Sequence, residues 1–92
     1  MGWFLYVLEC EGGSLYTGIT VDVKKRFAMH ALGKGAKYTR SRIPRRILAV
    51  KAFEDRSAAS KAEHALKKLT AAAKREFCAG HPYRLVDNSS SA

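Results

Sequence analysis

The sequence has little cysteine, little proline and little acid. Only two cysteines, Cys10 and Cys78, stand in 92 residues, far apart and in neither a Cys-x-x-Cys nor a Cys/His ligand spacing. That argues against a zinc centre and a disulfide framework, and reads both thiols as small hydrophobes suited to a reducing cytoplasm. Long apolar runs are also missing. The longest, Trp3 to Leu8, is far below the ~20 residues needed to cross a bilayer. Nothing basic precedes it and no small-residue cleavage site follows it, so it does not read as a signal peptide. These absences speak against transmembrane, secreted and fibrous classes, and the expected location is cytoplasmic. No Walker A lysine, GXXG clamp or RNP1 run occurs, so P-loop, KH and RRM readings lack their motifs.

What the chain has in excess is positive charge. Seventeen Lys and Arg stand against eight Asp and Glu, a net charge of +9. Ten of the basic residues lie between Lys24 and Lys51 with no acid among them: Lys24, Lys25, Arg26, Lys34, Lys37, Arg40, Arg42, Arg45, Arg46 and Lys51. Such a field attracts polyphosphate and releases its counterions on binding. A solvated face or an anionic membrane surface would also tolerate it, but its asymmetry favours nucleic acid. Apolar residues make up 47%, which suits one small folded domain. We expect that domain over residues 1–86 and a disordered, serine-rich tail over 87–92.

Trp3 to Cys10 and Leu15 to Val21 are rich in aromatic and β-branched residues, and Glu11-Gly12-Gly13 between them predicts a hairpin. Alternation puts Phe4, Tyr6 and Leu8 on one face and Trp3, Leu5 and Val7 on the other. An even-sum register would add Tyr16 and Gly18 to the Tyr6 face. Asp22 is an N-cap for a helix with an apolar stripe of Val23, Phe27 and Leu32, ended by Gly33. Gly33 to Pro44 reads as a basic loop without an apolar period. Arg45 to Phe53 reads as a third strand, and Asp55 or Ser57 caps a second helix with Ala59, Ala62, Leu66 and Leu69 inward. That helix can continue, bent near Thr70, to Gly80-His81-Pro82. The order ββαβα(α) predicts an α/β (α+β) domain: a three-stranded, mostly antiparallel sheet flanked by two to three helices. Two helices are expected to cover one face of the sheet fully and leave the other partly open.

Five side chains stand out for chemistry. Tyr6 and Tyr16 lie on the hairpin. Arg26 and His30, at i,i+4, share one helical face. Glu63 borders the buried stripe of the second helix, where a carboxylate in a basic protein can hold a divalent cation; pairing with Lys67 is its plain structural alternative. Singly, none is specific. Together, Phe4-Leu5-Tyr6, Tyr16-Thr17-Gly18, Arg26 with His30, and Glu63 resemble the GIY-YIG nuclease superfamily. The Gly33-Lys34-Gly35-Ala36-Lys37-Tyr38-Thr39-Arg40 stretch resembles its small stand-alone bacterial branch, the uncharacterised-family proteins related to YhbQ. The likeness covers residues 3 to about 80. Phe4 stands where the name motif begins with glycine, and the asparagine of many longer members has no clear counterpart, Asn88 lying in the expected tail.

The resemblance implies a GIY-YIG-type endonuclease that hydrolyses phosphodiester bonds in DNA with Mg²⁺ or Mn²⁺ held by Glu63. It implies Arg26 as the fixed positive charge on the phosphoryl oxygens, and Tyr6, with Tyr16 beside it, nearest the attacking water. A phenol of pKa near 10 is a poor base at neutral pH; nearby cations are expected to lower that value, and His30 is the helper or the substitute base. The stretch from Gly33 to Arg42 supplies the nucleic-acid contacts Lys34, Lys37, Tyr38, Arg40 and Arg42. Tyr38 can stack a base, so single-stranded or locally opened DNA is the expected substrate form. A monomer or weak dimer with weak sequence specificity is expected. A non-catalytic nucleic-acid-binding module on the same scaffold is the alternative, sharing the basic field without needing Glu63.

Overall fold

A computed structural model of the chain describes residues 2–83. The expected domain end at 86 and the tail over 87–92 lie outside the described residues. Strands β1 (Trp3–Cys10) and β2 (Leu15–Thr20) form the hairpin, joined through a short 3-10 turn at Glu11–Gly13. Gly12 and Gly13 both take positive φ there, a conformation that side chains resist. Helix α1 (Val23–Ala31) and a short α2 (Lys37–Ser41) lead to β3 (Pro44–Phe53), then α3 (Arg56–Lys67) and α4 (Ala71–Gly80). The sheet has three strands in the order β2-β1-β3, with both pairings antiparallel.

The register is the even-sum one, with Tyr6 opposite Gly18 and Leu8 opposite Tyr16. Alternation along β1 therefore separates two cores. Leu5 and Val7 pack with Ala49, Leu66 and Cys78 under α3 and α4, while Tyr6, Leu8 and Cys10 pack with Val23, Phe27, Ile47 and Val50 under α1. Both cysteines are free and buried, one in each core. Removing Leu66 down to alanine would cost about 2–5 kcal/mol at such a site. Helices thus lie against both faces of the sheet, and the expectation of one fully covered face does not hold. The helical hairpin α3–α4 serves one face, which leaves α1 free for the other.

Local signals explain most boundaries. The Asp22 carboxylate accepts from Lys25 N–H at 3.1 Å, that of Asp55 from Ala58 N–H at 2.8 Å, and the Thr70 hydroxyl from Ala73 N–H at 3.1 Å. The Thr70 cap begins a separate helix, where the sequence suggested a bend. After α1, Gly33 at φ 76° carries a Schellman ending, with Gly33 N–H bonded to His30 O and Lys34 N–H to Met29 O. Leu32 sits on that cap and is 72% exposed, so it does not belong to the buried stripe; His30 takes the buried place. Leu69 is likewise exposed, because it follows the end of α3.

Strand β3 lies at the sheet edge and is irregular. Val7 pairs with Ala49 but Leu8 with Ile47, and Glu9 pairs with Arg46 but Cys10 with Pro44, so Leu48 and Arg45 are extra residues at bulges. The segment after α4 runs along the outer side of this strand. Val50 N–H donates to His81 O and Tyr83 N–H to Leu48 O, which satisfies backbone groups an edge would leave open.

Candidate active site

Tyr6 projects from the centre of β1 and is only 2% exposed. It lies over Gly18, its partner on β2. A Cβ built on Gly18 would stand 2.5 Å from the Tyr6 hydroxyl oxygen and 2.7 Å from Cζ, so any larger residue there would displace the ring. Tyr16, two residues earlier on the same face, brings its ring centroid to 6.4 Å from Tyr6 and 5.1 Å from His30.

His30 is fully buried at the end of α1. Its Nε2 lies 2.9 Å from the Tyr6 hydroxyl and its Nδ1 2.8 Å from the Thr39 hydroxyl. Thr39 is itself buried and donates its single hydroxyl proton to Ala36 O at 2.8 Å. With that proton committed, Thr39 Oγ1 accepts from His30 Nδ1–H. The imidazole Nε2 then carries the lone pair and accepts from the Tyr6 O–H. Ala36 N–H also approaches Nδ1, at 3.4 Å, which would demand the other tautomer. Because the Thr39 proton goes to Ala36 O, the shorter 2.8 Å contact needs Nδ1–H as its donor, and that sets the direction. The result is a one-way chain: Tyr6 O–H to His30, His30 N–H to Thr39, Thr39 O–H to Ala36.

The stretch from Gly33 to Pro44, expected as loop, contains α2, and this helix holds Thr39 in place. Gly35 is equally necessary, since a Cβ there would fall into the His30 imidazole. The sequence reading places neither Thr39 nor Gly35 among the site residues. A second glycine two residues after Gly33 was the available signal for Gly35; a buried threonine on a five-residue helix leaves none. Tyr38, on the same helix, stacks on Tyr16 with centroids 5.8 Å apart and planes 25° apart, and keeps 39% of its surface exposed.

Arg26 and Glu63 complete the group. Burial first, and then Tyr16, push the Tyr6 phenol up to about 12; Arg26 pulls it down and Glu63 adds to the rise. Arg26 lowers the phenol as expected, but desolvation outweighs it and the net shift is upward, not downward. His30 is pushed below its ordinary value by burial and by Arg26, so it stands neutral at pH 7 and adds no charge beside Tyr6. Glu63 pairs with Lys67 Nζ at 3.1 Å, with the two side chains 21% and 52% exposed. An i,i+4 pair this open contributes only about 0.3–0.5 kcal/mol, so it yields readily to a stronger partner. Among the described residues no three His, Cys, Asp or Glu side chains converge. A single carboxylate suits a cation that keeps its water and shares the substrate's phosphate, as Mg²⁺ does, and does not suit zinc.

Lys34, Lys37, Arg40 and Arg42 are all exposed. The first three lie on or just before α2. Arg42 follows that helix and reaches toward the hairpin turn, with Nη1 3.9 Å from where a Gly12 Cβ would stand. A depression of about 700 Å³ along Arg56, Ser57, Ser60, Lys61 and His64 on α3 holds none of the residues above.

Residues 2–76 match the GIY-YIG catalytic domain. The chain belongs to the GIY-YIG family. It is 61% identical over 77 residues to a UPF0213 protein of Cupriavidus pinatubonensis, covering 84% of this chain and 86% of that one. A UPF0213 protein of Streptococcus agalactiae is 47% identical over 78 residues, covering 85% and 89%. The solution structure of the UPF0213 protein from Bacillus halodurans superposes with a TM-score of 0.55 at 44% identity, covering 86% of this chain and 84% of that one. A protein of E. faecalis, also solved in solution, gives 0.58 at 36% identity, covering 91% and 94%. The GIY-YIG domain is a nuclease domain; its family acts on nucleic acid and generally uses divalent metals. No helix among the described residues is long and apolar enough to cross a membrane.

Proposed function

We propose that this chain is a divalent-metal-dependent endonuclease that hydrolyses phosphodiester bonds in DNA, cutting single-stranded or locally opened DNA faster than intact duplex. Residues 1–86 form the nuclease domain, acting in the cytoplasm as a monomer or weak dimer. The observation that carries this reading is the buried chain of contacts from Tyr6 to His30 at 2.9 Å and from His30 to Thr39 at 2.8 Å, in which the Thr39 proton given to Ala36 O leaves His30 to accept from Tyr6.

Magnitudes decide how that chain works. The phenol is pushed up to about 12 and the imidazole sits below 6.5. Burial disfavours the charged form of both groups, so full transfer of the Tyr6 proton to His30 before reaction is strongly uphill. A standing tyrosinate is therefore not the base. Tyr6 instead takes the proton of the attacking water as it passes its own to His30 Nε2, both in one step. Arg26 remains cationic throughout and meets the charge that develops on the phosphoryl oxygens. Tyr16 packs against the His30 ring and keeps bulk water from it. Glu63 is the residue to hold the divalent ion, Mg²⁺ or Mn²⁺, which supplies positive charge to the phosphate and the leaving oxygen. Lys34, Lys37, Arg40 and Arg42 bind backbone phosphates, and the exposed part of Tyr38 stacks an unpaired base.

The Glu63–Lys67 pair is what a non-catalytic binding module on this scaffold would also display. Cleavage separates the two readings. End-labelled single-stranded, nicked, branched and duplex DNA, and the matching RNA, are incubated with wild type and Tyr6→Phe in Mg²⁺. Internal cuts, fastest on unpaired DNA and at least about 10²-fold slower in Tyr6→Phe, are expected. Binding without cutting by the wild type, or undiminished cutting by Tyr6→Phe, overturns the reading.

A further inference from the structure

The irregular edge of the sheet carries a second feature. A cleft of about 450 Å³ is lined by Lys24 and Phe27 of α1, Arg45, Arg46 and Ile47 of β3, and Tyr83. Two structural devices build it. The bulge at Arg45 interrupts the ladder between Arg46 and Pro44, and bulges at edges commonly re-aim a side chain. The segment appended to β3 through Tyr83 N–H and Leu48 O then brings the Tyr83 residue alongside the strand. Lys24, Arg45 and Arg46 are exposed, while Phe27 and Tyr83 are half-buried.

This cleft is distinct from the Tyr6 site. At about 100° per residue, Lys24 and Phe27 point to the opposite side of α1 from Lys25, Arg26 and Met29, the side on which a separate 310 Å³ depression lies. Among the described residues the acid paired near the cleft is Glu9, held by Arg46 and Arg75 at 2.7 and 3.6 Å, and neither Lys24 nor Arg45 takes part in those pairs. Two cations beside two aromatic walls match a phosphate with its attached base.

We infer that the cleft between α1 and β3 is a second nucleotide subsite, in which Lys24 and Arg45 hold a phosphate of the substrate strand and Phe27 and Tyr83 receive its base. This rests on the proposal that the protein binds nucleic acid, and it extends the path of the strand across α1. Lys25 and Ala28, exposed on the outward face of α1, lie under that path. The helix is about 10–12 Å across, so a strand engaging both sites needs several nucleotides beyond the cut. Short oligonucleotides reach only one site.

The test uses fluorescence anisotropy with a nuclease-resistant phosphorothioate strand of ten nucleotides, on the full chain. Lys24→Glu/Arg45→Glu and Tyr83→Ala are compared with Lys61→Glu/Lys68→Glu, which changes the net charge equally on exposed positions of the α3 region. The proposal expects about tenfold weaker binding in the first two, near wild-type binding in the third, and a salt slope reduced by about 0.7 in the double reversal, for the one phosphate that Lys24 and Arg45 share. Because Tyr83 bonds β3 through its backbone, its truncation leaves that pairing in place. Equal losses in the Lys61→Glu/Lys68→Glu variant, or preference of the cleft for phosphatidylserine vesicles over the oligonucleotide, overturn the subsite. Undiminished binding in both cleft variants also overturns it, while loss in Arg40→Glu/Arg42→Glu would leave the proposed function standing. Absence of oligonucleotide binding by the wild type overturns both.

Discussion

Thr39→Val removes one hydroxyl from a fully buried site and keeps the side chain's shape. Two groups lose their partner at once, His30 Nδ1–H and Ala36 O, each 2.8 Å from Thr39 Oγ1. A buried group left unpaired costs about 1–3 kcal/mol. The imidazole can relieve its own share by changing tautomer, since Ala36 N–H waits 3.4 Å from Nδ1. The expected stability loss is therefore that of one orphan, about 1–3 kcal/mol, read from urea unfolding. In the changed tautomer Nε2 carries the proton and donates to Tyr6, so the relay has no acceptor. We expect kcat to fall by about 10²–10⁴-fold, the usual range for a lost acid–base partner, with KM little changed because Thr39 is 0% exposed. Long-range ¹H–¹⁵N correlation of the ring should show protonated Nδ1 in wild type and protonated Nε2 in Thr39→Val. Thr39→Ser, which lacks only a methyl worth about 0.8 kcal/mol, should restore both tautomer and rate. A wild-type ring protonated at Nε2, or a Thr39→Val enzyme with wild-type kcat, refutes the reasoning.

Stability should also depend on pH in two windows. His30 is depressed in the folded state, so the unfolded chain binds more protons as pH falls below about 6.5; stability is full above that value and declines below it. His30→Gln should flatten the change between pH 7 and 5.5 in denaturant titrations. Tyr6 is raised to about 12, so its contribution is intact below pH 10 and is lost between 10 and 12. Tyr6→Phe should remove that alkaline loss. Affinity for single-stranded DNA should fall with salt at about 0.7 per phosphate contacted, and Arg40→Glu/Arg42→Glu should weaken it more than Lys61→Glu/Lys68→Glu; a flat salt response in anisotropy would remove nucleic acid as the partner.

Much of the fold is legible in the chain because its signals are local. Alternation in β1 separates Tyr6 and Leu8 from Leu5 and Val7, and Asp22, Asp55 and Gly33 mark helix ends by chemistry that needs no tertiary context. What escapes depends on contacts between distant segments. Helix α2 spans five residues, too few for an apolar period, and it is held by Thr39 against His30. Leu32 and Leu69 fit a helical stripe by spacing but fall where the helices have ended. The burial that raises the Tyr6 phenol comes from α1 and Gly18 closing around the ring, which a list of nearby cations does not convey. The same holds for Tyr83, whose place beside β3 follows from a pairing made after α4.

The central claim is that Glu63 serves a divalent ion in cutting DNA, and the most direct measurement is Mg²⁺-dependent cleavage of a labelled single strand by wild type, Glu63→Ala and Lys67→Ala. We predict cuts by the wild type that EDTA abolishes, a loss of at least about 10²-fold in Glu63→Ala with its affinity for the strand retained, and near wild-type rates in Lys67→Ala. Cleavage undiminished by EDTA or by Glu63→Ala, or equal behaviour of the two variants, would contradict it.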